Sequence, residues 1–181
     1  DLHSFPTRRS SDLEPEGILL FDTGKVQFAE PRKLTADEET EKAQRFFDIW
    51  FPQANEFLID ATNALNRKSN KNAAFYLHQA TESLYYATLL VFTGYKPKTH
   101  NIWKLRKQAK ILSEDLFLTF PIETNKEENH LFDLLKRGYI DARYKPEYSI
   151  SEHELKGLIE RVKKMQEVVE KICKEKIYSK V

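Results

Sequence analysis

Thr35–Leu65 reads TADEETEKAQRFFDIWFPQANEFLIDATNAL and decides the fold class. Thr35-Ala-Asp-Glu38 has capping-box spacing, in which the hydroxyl and the carboxylate satisfy two orphan N–H groups and start a helix. Ala43, Phe46, Phe47, Trp50, Ala54, Phe57, Leu58, Ala61 and Leu65 then recur at steps of three and four. A half-buried strand would alternate every second residue; this stripe keeps one face of a helix apolar over roughly six turns. Pro52 stands inside the stripe. It removes one ladder bond and crowds the preceding turn, which predicts a kink or short break at Asp48–Phe51.

Downstream, the helical period continues. The polar run Asn66–Asn72 separates a second helix carrying Ala73, Tyr76, Leu77, Ala80, Leu84, Ala87, Leu90 and Val91. Gly94 follows as a natural C′ residue. Asn101 or Thr99 caps a third helix with Ile102, Trp103, Leu105, Ala109 and Leu112. Ser113–Glu123 is an apolar-bearing connector. Thr124-Asn-Lys-Glu127 is a second capping box, before a helix with Leu131, Leu134, Leu135 and Tyr139 that frays near Pro146. Ser151-Glu-His-Glu154 opens the last helix, with Leu155, Leu158, Ile159, Val162, Met165, Val168, Val169 and Ile172. The expected fold is all-α, an antiparallel bundle of four to five helices over residues 35–178.

Upstream, GILLFD and VQFAE flank Thr23-Gly24, so Gly17–Pro31 reads as a short β-hairpin. Residues 14–34 then form a hairpin and linker, a remnant of an upstream domain. Residues 1–13 show neither helical nor strand period, and no apolar stretch of signal-peptide length follows the arginines. Ser4–Leu13 resembles the in-frame translation of a sequencing-library adapter. That points to a non-native leader, the alternative being a native disordered tail.

Composition limits what the chain can be. It has 181 residues, 40% hydrophobic and 31% charged, with Gly 5 and Pro 7. Too few turn residues are present for collagen, linker-rich disorder or most β-sandwiches. The one cysteine, Cys173, excludes a disulfide framework and a cysteine-based zinc site, and suits a reducing compartment. No apolar run reaches the ~18 residues of a membrane span. The expected setting is cytoplasmic, without membrane association.

Net charge is +1, yet it is unevenly spread. Lys96–Leu112 holds Lys96, Lys98, Lys104, Arg106, Lys107 and Lys110 with no acid. Lys136, Arg137, Arg143 and Lys145 stand against Asp141, while Asp37–Asp60 is acidic. Either the two basic segments meet as one phosphate-attracting surface, or they are a solvated face balancing the acidic one.

The densest cluster is Lys136-Arg-Gly-Tyr-Ile-Asp-Ala-Arg-Tyr-Lys145. At helical spacing Arg137 and Asp141 pair, and Tyr139 shares a face with Arg143. Arginines and tyrosines at a helix end clamp a phosphate and stack a base, or else tie the helix to a neighbour through ion pairs. His78 and Glu82, four apart, are an auxiliary polar pair: an acid/base element, half a metal site, or simply an interface hydrogen bond. No second pair of matching spacing exists, so no metal is expected. His100 sits in the basic loop, where it contacts phosphate or caps the third helix. His130 and His153 lie in polar first turns. Cys173 has no nucleophile arrangement around it, and no GxxxxGK[ST], GxGxxG or zinc-finger spacing occurs.

Asn72–Asn101, NAAFYLHQATESLYYATLLVFTGYKPKTHN, together with RGYIDARYK at 137–145, resembles the HEPN domain family. These are helical bundles akin to the C-terminal helical domain of kanamycin nucleotidyltransferase. The resemblance covers roughly Glu38–Lys176, and HQATE and DARY are its most telling parts. It implies a four- to five-helix bundle, often a homodimer, fused to or paired with a nucleotidyltransferase. Many members are metal-independent ribonucleases or toxins that use an Arg followed four to six residues later by His. No arginine here has histidine at that step, so the endonuclease signature is missing, and no enzyme activity is assigned to this stretch. Other members are similar to nucleotide-binding modules. The expected role is therefore binding of a nucleotide, RNA or other polyanion without a cofactor. Arg137, Arg143, Tyr144 and Lys145 contact phosphate and base, and Lys98 and His100 line the opposite wall. The alternatives are a ribonuclease toxin in which His78, Glu82 or Tyr144 replaces the missing histidine, and a ligand-free dimerisation or adaptor module.

Overall fold

A computed structural model describes residues 32–179. Both the hairpin expected at Gly17–Pro31 and the leader at 1–13 lie outside the described residues. The chain divides into two units, Asp1–Glu39 and Thr40–Val181. In the first, Thr35 and Glu38 exchange their capping-box bonds, and Arg32 pairs with the Glu38 carboxylate.

Seven helices occur among the described residues: α1 (Ala36–Asn66), α2 (Asn70–Thr93), α3 (Ile102–Ala109), α4 (Glu114–Phe117), α5 (Lys126–Arg137), α6 (Asp141–Tyr144) and α7 (Glu152–Tyr178). Together they make an all-helical bundle. None of them is long and apolar enough to cross a membrane.

The second helix is the axis of the bundle. Ala73, Ala74, Leu77, Ala80, Leu84, Tyr85 and Ala87 are fully or almost fully buried. Helices α3, α5, α6 and α7 pack on it. Its alanines let neighbours approach closely, and the aromatic rings fill the remaining volume at crystal-like density. From α1, Trp50 meets Tyr86 edge-on at 5.1 Å and Phe57 stacks near Tyr76 at 6.5 Å. α7 contributes Leu155, Leu158, Val162, Met165, Val169 and Cys173, one apolar face over its whole length.

Helix ends follow local chemistry. Gly94 closes α2 in the left-handed region, at φ 69°, where glycine has no Cβ penalty. Asn101 caps α3, Ser113 caps α4 and Ser151 completes a capping box on α7. The α5 cap is Asn125, which accepts from Glu127 N and Glu128 N, and not Thr124.

Three expectations change. Helix α1 runs unbroken through Pro52. The buried stripe of Phe47, Ala54 and Leu58 holds the turns on either side, outweighing one lost ladder bond. The Ser113–Glu123 connector contains the short helix α4. The RGYIDARYK stretch is not one fraying helix: α5 stops at Arg137, three turn residues follow, and α6 restarts at Asp141.

Candidate functional site

The turn between α5 and α6 places Tyr139 against the middle of α2. Gly138 makes the approach possible, since a Cβ there would lie 2.7 Å from the Ala74 carbonyl oxygen. Two imidazoles stack on the Tyr139 phenol: His78 of α2 at 5.0 Å and 23°, and His100 of the α2–α3 loop at 5.0 Å and 18°. The Arg143 guanidinium carbon lies 4.9 Å from the same ring. Tyr139 therefore gathers residues from two distant stretches, α2 and the α2–α3 loop, beside its near neighbour Arg143.

Arg143 is held by rings. Its guanidinium carbon is 4.7 Å from the Phe75 ring and 5.0 Å from that of Tyr144, and Nε donates to the Tyr139 carbonyl at 2.7 Å. No carboxylate pairs with it among the described residues, so its two terminal N–H₂ groups remain for an anion. Tyr144 is 70% exposed, with a ring face available for stacking.

Glu82 and His78 are not each other's partners, which corrects the pairing expected from their spacing. The carboxylate of Glu82 reaches His100 Nδ1 at 2.9 Å, with side-chain exposures of 6% and 59% respectively. Four residues apart on α2, both Glu82 and His78 are buried, and each faces a neighbour outside the helix. Burial raises the Glu82 carboxyl above its ordinary range, opposed by His100 and Lys96. Burial also drives His78 down to about 4, so its ring is neutral, and its Nδ1 has no hydrogen-bond partner.

The loop that carries His100 is pinned along its length. Lys96 Nζ sits 4.7 Å from the Trp50 ring and 4.4 Å from that of Tyr86, and Tyr86 Oη donates to the Thr99 carbonyl at 2.6 Å. Burial, with Glu82 close by, raises the Tyr86 phenol above its ordinary range, so it stays a donor.

The other residues of the expected site are placed differently. Arg137 Nε pairs with Asp141 at 2.8 Å, and Lys145 Nζ with the same carboxylate at 3.1 Å. Arg137 ties α5 to α6, Lys145 closes α6 on its own first residue, and Asp141 is held below the usual carboxylate range by both, Arg137 first. Lys98 is exposed, without a hydrogen bond or ion pair among the described residues.

The basic run 96–112 is dispersed as well. Arg106 is 1% exposed and paired with Glu123 at 2.8 Å, while Lys107 lies over Trp103 and Lys110 over Phe117. A separate hollow of about 320 Å³ is lined by His130, Ser151, His153 and Glu154 and shares no residue with the Tyr139 cluster. No group of three metal-ligating side chains exists among the described residues.

Sequence reasoning missed Tyr139 as the hub and Phe75 as a ring under Arg143. The signal was present for Tyr139, whose spacing to Arg143 put both on one face. Phe75 carries no such mark, because only the tertiary approach of α6 to α2 brings it near.

Chemically, the cluster offers a forked cation, an imidazole and an exposed phenol ring. That set recognises a phosphate and a flat base. A family model described as HEPN domain matches residues 47–172, a span containing every side chain of this cluster. No curated protein matches the chain.

Proposed function

The chain belongs to the HEPN domain family, and from that premise we propose that it binds a nucleotide or other polyanion at the Arg143–Tyr139–His100 cluster. One observation carries the reading: Arg143 is exposed, oriented by three rings and one carbonyl, and unpaired with any carboxylate among the described residues. An arginine so fixed loses little rotamer freedom when it takes a phosphate. Lys98 adds charge, His100 lines the wall, and Tyr144 stacks a base. Arg137 and Lys145 support this by holding α6 in place through Asp141. In this reading the domain serves a nucleotidyltransferase, presenting a substrate to it or regulating it.

Calorimetric titration with ATP, GTP and short RNA tests the proposal. Arg143→Ala is expected to weaken binding by about tenfold or more, the worth of hydrogen bonds to a charged group. Absence of binding at millimolar ligand, or affinity unchanged in Arg143→Ala, counts against it.

A second reading has its own support. The His100–Glu82 pair at 2.9 Å and Arg143 both reach Tyr139, so an imidazole and an arginine share one ring although no Arg-to-His step exists in the chain. This is the ribonuclease alternative with a nonstandard site. RNA cleavage by the purified protein, lost in His100→Ala, would favour it over binding alone.

A further inference from the structure

The pair at the back of the cluster constrains what the ligand must carry. His100 Nδ1 is 2.9 Å from Glu82 Oε1. An ionised carboxylate accepts and cannot donate, so Nδ1 bears the proton in this bond. Neutral imidazole has one N–H, and the bond made at one nitrogen sets the state of the other. Nε2 is then a bare acceptor, and it makes no hydrogen bond among the described residues. The ring cannot easily turn to exchange its nitrogens. It is stacked on Tyr139, and its loop is pinned by the Tyr86–Thr99 bond and by Lys96 on Trp50 and Tyr86.

We infer that Glu82 is a positioning residue that holds His100 with Nε2 as an acceptor on the ring that also carries Arg143, so the ligand carries a hydrogen-bond donor, such as a sugar hydroxyl, in addition to its phosphate. This deepens the anion-binding reading and rests on it for the ligand. The tautomer stands independently, as a property of the free protein. Arg143 and His100 then read opposite features, one an anion and the other a donor. Sulfate, fully ionised and without an O–H, satisfies only the first. A phosphorylated sugar satisfies both.

The test begins with the free protein. Nitrogen NMR of the imidazoles at about pH 8 is expected to show His100 protonated on Nδ1 and bare on Nε2. Glu82→Gln keeps an acceptor oxygen in place and retains this state. Glu82→Ala releases the ring, and the proton moves to Nε2. A wild-type His100 protonated on Nε2 overturns the inference.

Binding is then measured with two probes, AMP and sulfate. In Glu82→Ala and in His100→Ala the preference for AMP over sulfate is expected to fall about three- to tenfold, one hydrogen bond's worth. Glu82→Gln restores it. A preference unchanged in both variants also overturns the inference. His100 is exposed, so its variant keeps this arm decisive even if Glu82→Ala fails to fold. Arg143→Ala separates the two failures: affinity for both probes unchanged by it sinks the anion-binding reading and leaves the NMR result standing.

Discussion

His78 shows how one side chain ties the site to stability. It is 1% exposed, stacked on Tyr139, and lacks a partner for Nδ1. Charging it would bury an uncompensated cation, so its folded-state value falls from 6.5 to about 4, burial being the largest cause. Between those two values the unfolded chain binds more protons than the folded one. The stabilisation is complete above pH 6.5 and is lost progressively as pH falls towards 4. At 1.36 kcal/mol per unit, the loss attributable to this residue is about 3 kcal/mol. His78→Phe keeps a ring against Tyr139 and removes the proton. Its melting temperature is expected to fall less on acidification across that window than the wild type's. Parallel pH profiles for the two proteins would show that another group controls the acid limb. Glu82 works in the opposite sense. Its carboxyl is raised by burial, so the folded state holds its proton longer, and stability declines as pH rises through that range. Glu82→Gln is expected to gain in melting temperature relative to the wild type as pH increases, measured by thermal unfolding from pH 4.5 upward.

At the scale of elements, the turn after α5 decides the site. An Ala at Gly138 would press its Cβ to 2.7 Å from the Ala74 oxygen and 3.0 Å from that of Leu135, both backbone atoms unable to swing aside. Gly138→Ala is expected to destabilise the bundle by about 1–3 kcal/mol, as overpacking does. It should also weaken AMP binding, because Tyr139 would leave its place on α2. Chemical denaturation and titration of the same variant check both halves; a change in neither would mean that α5 and α2 can separate freely. The helices themselves were legible because the 3.6-residue stripes on α1, α5 and α7 are amphipathic, while α2 is marked by an apolar, small and aromatic run that is buried all round from Ala80 to Val91. Local signals placed the caps of α3 and α7, since Asn101 and Ser151 act within three residues. The break at Gly138 was not legible. A lone glycine in a helical pattern is tolerated, and what ends α5 here is a contact with a helix more than sixty residues away.

For the whole molecule, the distribution of cations separates apparent from usable charge. Read along the chain, 96–112 is a block of six positive residues. In three dimensions Arg106 is buried on Glu123, Lys96 is caged by Trp50 and Tyr86, and Lys107 and Lys110 lie on rings. Arg137 and Lys145 are committed to Asp141. The sequence pattern showed where charge accumulates. It did not show that rings of other helices would lie against Lys96, Arg106 and Lys110, because those neighbours are set by packing. It likewise marked His100, Arg143 and Glu82 as candidates and set Tyr139 on one face with Arg143, but it paired Glu82 with His78 where the carboxylate meets His100, a partner outside its helix. Of the cations assigned to the proposed site, Arg143 and Lys98 have no carboxylate partner among the described residues, and this number governs the response to salt. Each phosphate contact to a single strand contributes about −0.7 to the slope of log affinity against log salt. Two contacts give about −1.4, whereas engagement of all six residues of the run would give about −4. Titrating a short RNA at several salt concentrations is expected to return the shallow slope, and Lys98→Ala to flatten it by about half. A steep slope in the wild type would mean that the ring-bound lysines leave their aromatic seats to meet the backbone, and the ligand would then lie along α3 and not at Tyr139.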